Sequence, residues 1–176
     1  MTPRQANIFI PKLLEIATAE IGVREEGDNG GERVNEYQAV NGGKSGDSWC
    51  ADFVCWCIQQ TEQATGITLK FNKSAGALAL RNANKLLQVP SPTVGSIMIM
   101  QHADTALGHA GIVRNYGTST VGTIEGNTNE AGSRQGDGVY SKTRFRVNPV
   151  DKLHIIGYLD LTLCDVVEIP DPEATA

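Results

Sequence analysis

Pro90 and Pro92 divide this 176-residue chain into two stretches of different character, and that change most limits what it can fold into. Before them, apolar residues recur at helical spacing. After them come short apolar segments set apart by turn residues. Helices first and strands afterwards predict an α+β fold. The first helix is expected from Pro11 to about Ile21, with Pro11 in its first turn and Gly22 as a stop signal. A loop spans Glu26–Gly31, followed by a short helix over Val34–Val40. A second main helix is read from Cys50 to Gln63, so apolar around its circumference that deep burial follows. Ser74–Leu87 is a further helical candidate. Strands are expected at 96–100, 110–113, 121–125, 139–145 and 155–159, arranged as a meander, with a hairpin turn at Asn115-Tyr116-Gly117.

The length suits one domain, assigned to residues 1–168, with 169–176 a disordered tail or truncated linker. No apolar run approaches the roughly 20 residues that cross a bilayer, so no membrane insertion is expected. The net charge is −5 and no lysine–arginine cluster stands out, which argues against nucleic acid as a partner. The N-terminus lacks the apolar core of a signal peptide. Synthesis in the cytoplasm is therefore expected, with any export by another route. A monomer is expected.

The four cysteines are Cys50, Cys55, Cys57 and Cys164. Three crowd into one predicted helix, where bridging geometry is poor, and no C-x-x-C pair is present. Cys55 and Cys57 fall inside that helix and read as inert packing. Cys50 differs, because Gly46-Asp47-Ser48 marks the helix start just before it. Unpaired backbone N–H groups and a positive partial charge gather at a helix N-terminus and favour thiolate.

A thiolate needs a base. His109, in Gly108-His109-Ala110-Gly111-Ile112-Val113, precedes a short strand and would emerge at a sheet end facing the helix. His102 reads as a residue of a polar turn, and His154 opens the last strand without a partner motif. In Ile124-Glu125-Gly126-Asn127, either Glu125 or Asn127 can accept a hydrogen bond from the far ring nitrogen and fix the imidazole.

The three segments Trp49–Val54, Gly108–Val113 and Ile124–Asn127, in that order, resemble the cysteine, histidine-dependent amidohydrolase/peptidase (CHAP) domains. These lie within the NlpC-type, papain-like group of peptidoglycan hydrolases. Glu26–Gly31 with Tyr37 also looks like the loop ahead of the cysteine in one branch of the family. The likeness spans roughly residues 12 to 160. It implies a papain-like fold, with N-terminal helices packed on a C-terminal antiparallel sheet. It also implies cleavage of amide bonds in peptidoglycan stem peptides through a thioester, as amidase or endopeptidase. Cys50 then matches the nucleophile, His109 the general base, Glu125 the residue that orients it, and Asn127 a further polar residue near the ring. Trp49, Asp52, His102 and Arg134 are assigned to substrate binding, with Arg134 directed at a stem-peptide carboxylate. The loops 103–107 and 129–138 are expected to wall the site.

Many members carry glutamine where this chain has Trp49, which leaves part of the oxyanion hole unassigned. Some bind calcium through alternating aspartates; Asp28, Asn29 and Glu32 offer few carboxylates at the wrong spacing, so neither metal nor cofactor is expected. The competing readings are a papain-like cysteine peptidase acting on some other amide, and an inactive binding module of the same fold.

Overall fold

The computed structural model describes residues 1–103, 105–130, 136–147 and 152–167. The expected tail at 169–176 lies outside these residues. Helix α1 runs from Pro3 to Ala19 and begins eight residues before the expected start. A reciprocal capping box opens it: the Thr2 hydroxyl accepts from the Gln5 N–H, and the Gln5 side chain accepts from the Thr2 N–H. Pro3 fills the first position, so Pro11 sits inside the helix rather than at its head. It is tolerated there because it lies on the exposed side, while Phe9, Leu13 and Ala17 form the buried stripe.

Helix α2 is Glu32–Ala39 and α3 is Cys50–Thr65. Every residue of α3 from Cys50 to Ile58 is buried, as its apolar circumference requires. It ends at Gly66, whose φ of 69° is the left-handed conformation that glycine adopts without strain. Helix α4, Ala77–Ala83, is shorter than the expected 74–87. Buried Asn84 stops it, donating to the carbonyls of Leu80 and Asn72 and accepting the Asn72 N–H. A single 3-10 turn at Lys85–Leu87 then leads into a two-residue strand, β1, Gln88–Val89.

The remaining strands are β2 (Ile97–His102), β3 (Gly108–Tyr116), β4 (Thr120–Thr128), β5 (Gly138–Phe145) and β6 (Leu153–Leu159). They form one antiparallel sheet in the order β1-β6-β2-β3-β4-β5. β2 to β5 make the expected meander, but the turn after β3 begins at Gly117, with β3 running through Tyr116. β6 departs from the expected order, returning to pair with β1 and β2 inside the sheet. Its residues explain this. Ile156 and Leu159 pack towards the helices, while Ile155 and Tyr158 pack on the opposite side, so both faces need cover. Along β5 every second residue from Ser141 to Phe145 is exposed, a pattern suited to an edge.

Ile97, Ile99, Ala110, Ile112, Ile124 and Leu159 join the helices in the main core. On the other face Met98, Met100, Val113, Val121 and Tyr158 form a second cluster, buried although none of the helices described here lies in it. Val89, Leu153 and Ile155 pack against it from the strands. Register shifts interrupt the ladders at Ile99/Met100, Val113/Asn115 and Glu125/Thr128, and such bulges strengthen twist. Arg146, just beyond edge strand β5, reaches Tyr158 on β6 across the curled face.

Candidate active site

Cys50 is the first residue of α3, so its backbone N–H has no partner within the helix. Trp49 anchors that start. Its carbonyl accepts the Phe53 N–H, its ring stacks on Tyr37 with centroids 5.5 Å apart, and its indole N–H donates to Glu25 Oε2 at 3.3 Å. The Cys50 side chain receives the N–H groups of Ala51 and Ala110 and is hydrogen-bonded to His109. The residue is 8% exposed, a thiol at the surface of the packed interior.

The strands bring the other groups to it. His109, the second residue of β3, pairs with Met100 of β2. The β3–β4 ladder begins only at Ile112/Ile124, so the two strands part over 108–111, and the tip of α3 meets β3 there. Glu125 reaches back across this gap, and its Oε2 lies 2.8 Å from His109 Nε2. The ring's Nδ1 is thereby left for the sulfur. Gly111 makes the crossing possible, since a Cβ at that position would lie 2.6 Å from Glu125 Cγ.

The Glu125 carboxylate is fully enclosed and takes three further hydrogen bonds. Thr123 Oγ1 donates to Oε1 at 2.5 Å; Arg144 donates from Nε to Oε1 at 3.0 Å and from Nη2 to Oε2 at 2.5 Å.

These contacts set the charges. Burial alone would raise the Glu125 pKa, but the Arg144 and His109 hydrogen bonds and charges outweigh it and hold the carboxyl well below its usual range. Burial opposes charge on His109 too, yet the bonds to Cys50 and Glu125 raise it to about 10. For Cys50 burial favours the thiol, but His109 and the two backbone N–H groups bring the pKa below its ordinary value. Both shifts favour a thiolate–imidazolium pair over a neutral thiol and imidazole. Cys55 and Cys57 are raised by burial, and Cys164 is pushed up to about 11 by the same cause, so none of them shares this activation.

The other expected site residues are placed differently. Trp49 and Asp52 were expected to touch substrate, and both are fully enclosed. Trp49 is held by the ring and carboxylate contacts described above. Asp52, in the first turn of α3, points inward, with Oδ1 accepting from Asn41 Nδ2 at 2.6 Å and Oδ2 buried with no hydrogen-bond partner among the described residues. His102 is the last residue of β2 rather than a turn residue, and its Nδ1 is enclosed with no hydrogen-bond partner among the described residues. His154 pairs with Gln101 in β6.

Asn127 lies at the β4 bulge with a left-handed φ of 50°, and no hydrogen bond among the described residues joins its side chain to His109. Its backbone role follows from the tolerance of asparagine for that conformation. Arg134 and much of the expected 129–138 wall lie outside the described residues. No group of three or more His, Cys, Asp or Glu among the described residues is arranged to hold a metal, and the Asn29 amide turns back onto Asp28.

Sequence reasoning missed Arg144 and Thr123. Thr123 carried a faint signal, two residues from Glu125 and therefore on the same strand face. Arg144 carried none: in the β4–β5 register Tyr140 stands opposite Glu125 and Arg144 opposite Val121, four residues away, and only its long side chain, running along the sheet, brings the guanidinium to the carboxylate.

A family model described as CHAP domain matches residues 41–127, a span that opens in the loop before α3 and ends at Asn127. No curated protein and no solved structure matches the chain.

Proposed function

The chain carries a CHAP domain, a family of amidohydrolases and peptidases, and from this premise we propose that it is a cysteine-dependent peptidoglycan hydrolase cleaving amide bonds of stem peptides. One observation carries the reading. Cys50 at the tip of α3 is hydrogen-bonded to His109, and buried Glu125 holds the opposite ring nitrogen.

The chemistry follows from that geometry. The thiolate attacks the amide carbonyl, forming a C–S bond, and the negative charge gathers on oxygen. The unpaired N–H of Cys50 at the helix start is placed to receive that charge. The indole of Trp49 is already committed to Glu25, so the second donor comes from another position. Imidazolium His109 gives its proton to the departing nitrogen as the C–N bond breaks. Neutral His109 then takes a proton from water, the resulting hydroxide opens the thioester, and the thiolate–imidazolium pair returns. Glu125 stays ionised throughout and keeps the ring turned toward the sulfur.

The pH dependence follows from the same charges. Turnover should fall at low pH as Cys50 takes up a proton. It should also fall as pH rises past about 10, where His109 loses the proton owed to the leaving amine. The direct test is mass spectrometry of fragments released from purified peptidoglycans of defined stem peptide. Release of peptide fragments by the parent, and none by a Cys50→Ala variant with unchanged melting, is the expected result. Turnover retained by Cys50→Ala, or no release by the parent from any wall type, would overturn it.

A further inference from the structure

The Cys–His–Glu arrangement leaves one buried cation to account for. Arg144 grips both oxygens of Glu125 through Nε and Nη2, and its own side chain is only 14% exposed. Arginine's planar fork imposes an orientation on a carboxylate that a point charge cannot. The charged groups facing Glu125 are His109 from β3 and Arg144 from β5, with neutral Thr123 on its own strand.

We propose that Arg144 is a positioning residue for the Cys50–His109 pair: its guanidinium turns the Glu125 carboxylate toward His109 Nε2 and sets a cation on the far side of it, so that charges alternate in sign from the sulfur outward. This deepens the cysteine-hydrolase reading and rests on it. Thiolate, imidazolium, carboxylate and guanidinium alternate in sign in a place sheltered from water. Remove the guanidinium and the row loses one positive charge, which leaves excess negative charge that a buried setting disfavours. One added proton offsets that loss, and its destination is the sulfur, because His109 already holds its proton and Glu125 is still paired with it. Arg144 thus keeps Cys50 a nucleophile without touching it.

The charge and the fork are separable. Arg144→Met removes both, whereas Arg144→Lys restores only the charge. The measurement is the pH dependence of iodoacetamide alkylation at Cys50, located by fragment mass spectrometry, which needs no substrate. In the parent the midpoint should lie below that of an ordinary thiol. In Arg144→Met it should rise by about one unit or more, lowering alkylation roughly tenfold at pH values below the parent's midpoint. Arg144→Lys should bring the midpoint back, while kcat on peptidoglycan stays low because the carboxylate is no longer held in one orientation. An unchanged midpoint in a well-folded Arg144→Met variant would overturn the proposal. A parent thiol with an ordinary midpoint would instead sink the Cys–His reading beneath it. A shifted midpoint in a protein that cuts no peptidoglycan would uphold the role of Arg144 and remove the proposed substrate.

Discussion

Three cysteines on one helix have the same chemistry and different fates, and position alone separates them. Cys50 sits where the backbone N–H groups are unpaired and an imidazole is in reach, whereas Cys55 and Cys57 lie within the hydrogen-bonded ladder, buried against apolar groups. That contrast was legible in the sequence, because Gly46-Asp47-Ser48 marks where the helix begins. The burial of Asp52 was not. A carboxylate two residues from a candidate nucleophile reads as a substrate contact; in the fold it faces inward, one oxygen having no hydrogen-bond partner among the described residues. Burial, only partly offset by Asn41 and reinforced by the charge of Asp47, raises it to about 6. A carboxyl that holds its proton more tightly when folded stabilises most below its unfolded value, and the contribution is lost as pH rises through the folded one. The size is at most about 3 kcal/mol. Thermal melts of the parent should therefore decline between about pH 4 and about pH 8 more steeply than those of Asp52→Asn. Parallel declines would show that Asp52 has no such role.

At the scale of elements, the site depends on how closely α3 approaches β4. Gly126 is the point of contact: a Cβ there would lie 2.6 Å from Phe53 Cβ and 2.7 Å from Trp49 Cζ3, both residues fully buried. The glycine in Glu125-Gly126-Asn127 is thus a packing requirement. Gly126→Ala should push the tip of α3 away from β4, cost about 1–3 kcal/mol, and slow alkylation of Cys50. Gly117→Ala, whose new methyl would find nothing closer than Thr120 Oγ1 at 3.7 Å, is the control and should leave Cys50 reactivity unchanged. Native melting and reactivity in Gly126→Ala would refute the close-contact argument. The early start of α1 has a different cause. Pro11 is a strong helix-start signal, but the Thr2–Gln5 capping box and the Phe9–Leu13–Ala17 stripe together outweigh one missing N–H.

For the whole molecule, the decisive feature is the return of β6 to the inside of the sheet, between β1 and β2. The family match ends at residue 127, yet β5 supplies Arg144 and β6 separates β1 from β2. A chain ended at Val147 keeps Cys50, His109 and Glu125 but loses an interior strand and with it Tyr158 and Leu159 from two cores. It should show no cooperative thermal transition by circular dichroism and no acid-shifted titration of Cys50. A cooperative melt with a reactive Cys50 would mean that the matched region and β5 fold without the rest.

Periodicity and turn chemistry determined the order of helices and strands. A helix start beside Cys50 determined the candidate nucleophile, because capping and spacing are local and act over a few residues. Strand pairing and packing decided the rest: which strand lies beside which, and so that Arg144 meets Glu125, that Trp49 and Asp52 turn inward, and that β6 lies inside the sheet. Those outcomes arise from burial and pairing between residues far apart in the chain, where the energy of each placement depends on all the others. No short stretch of sequence holds that information.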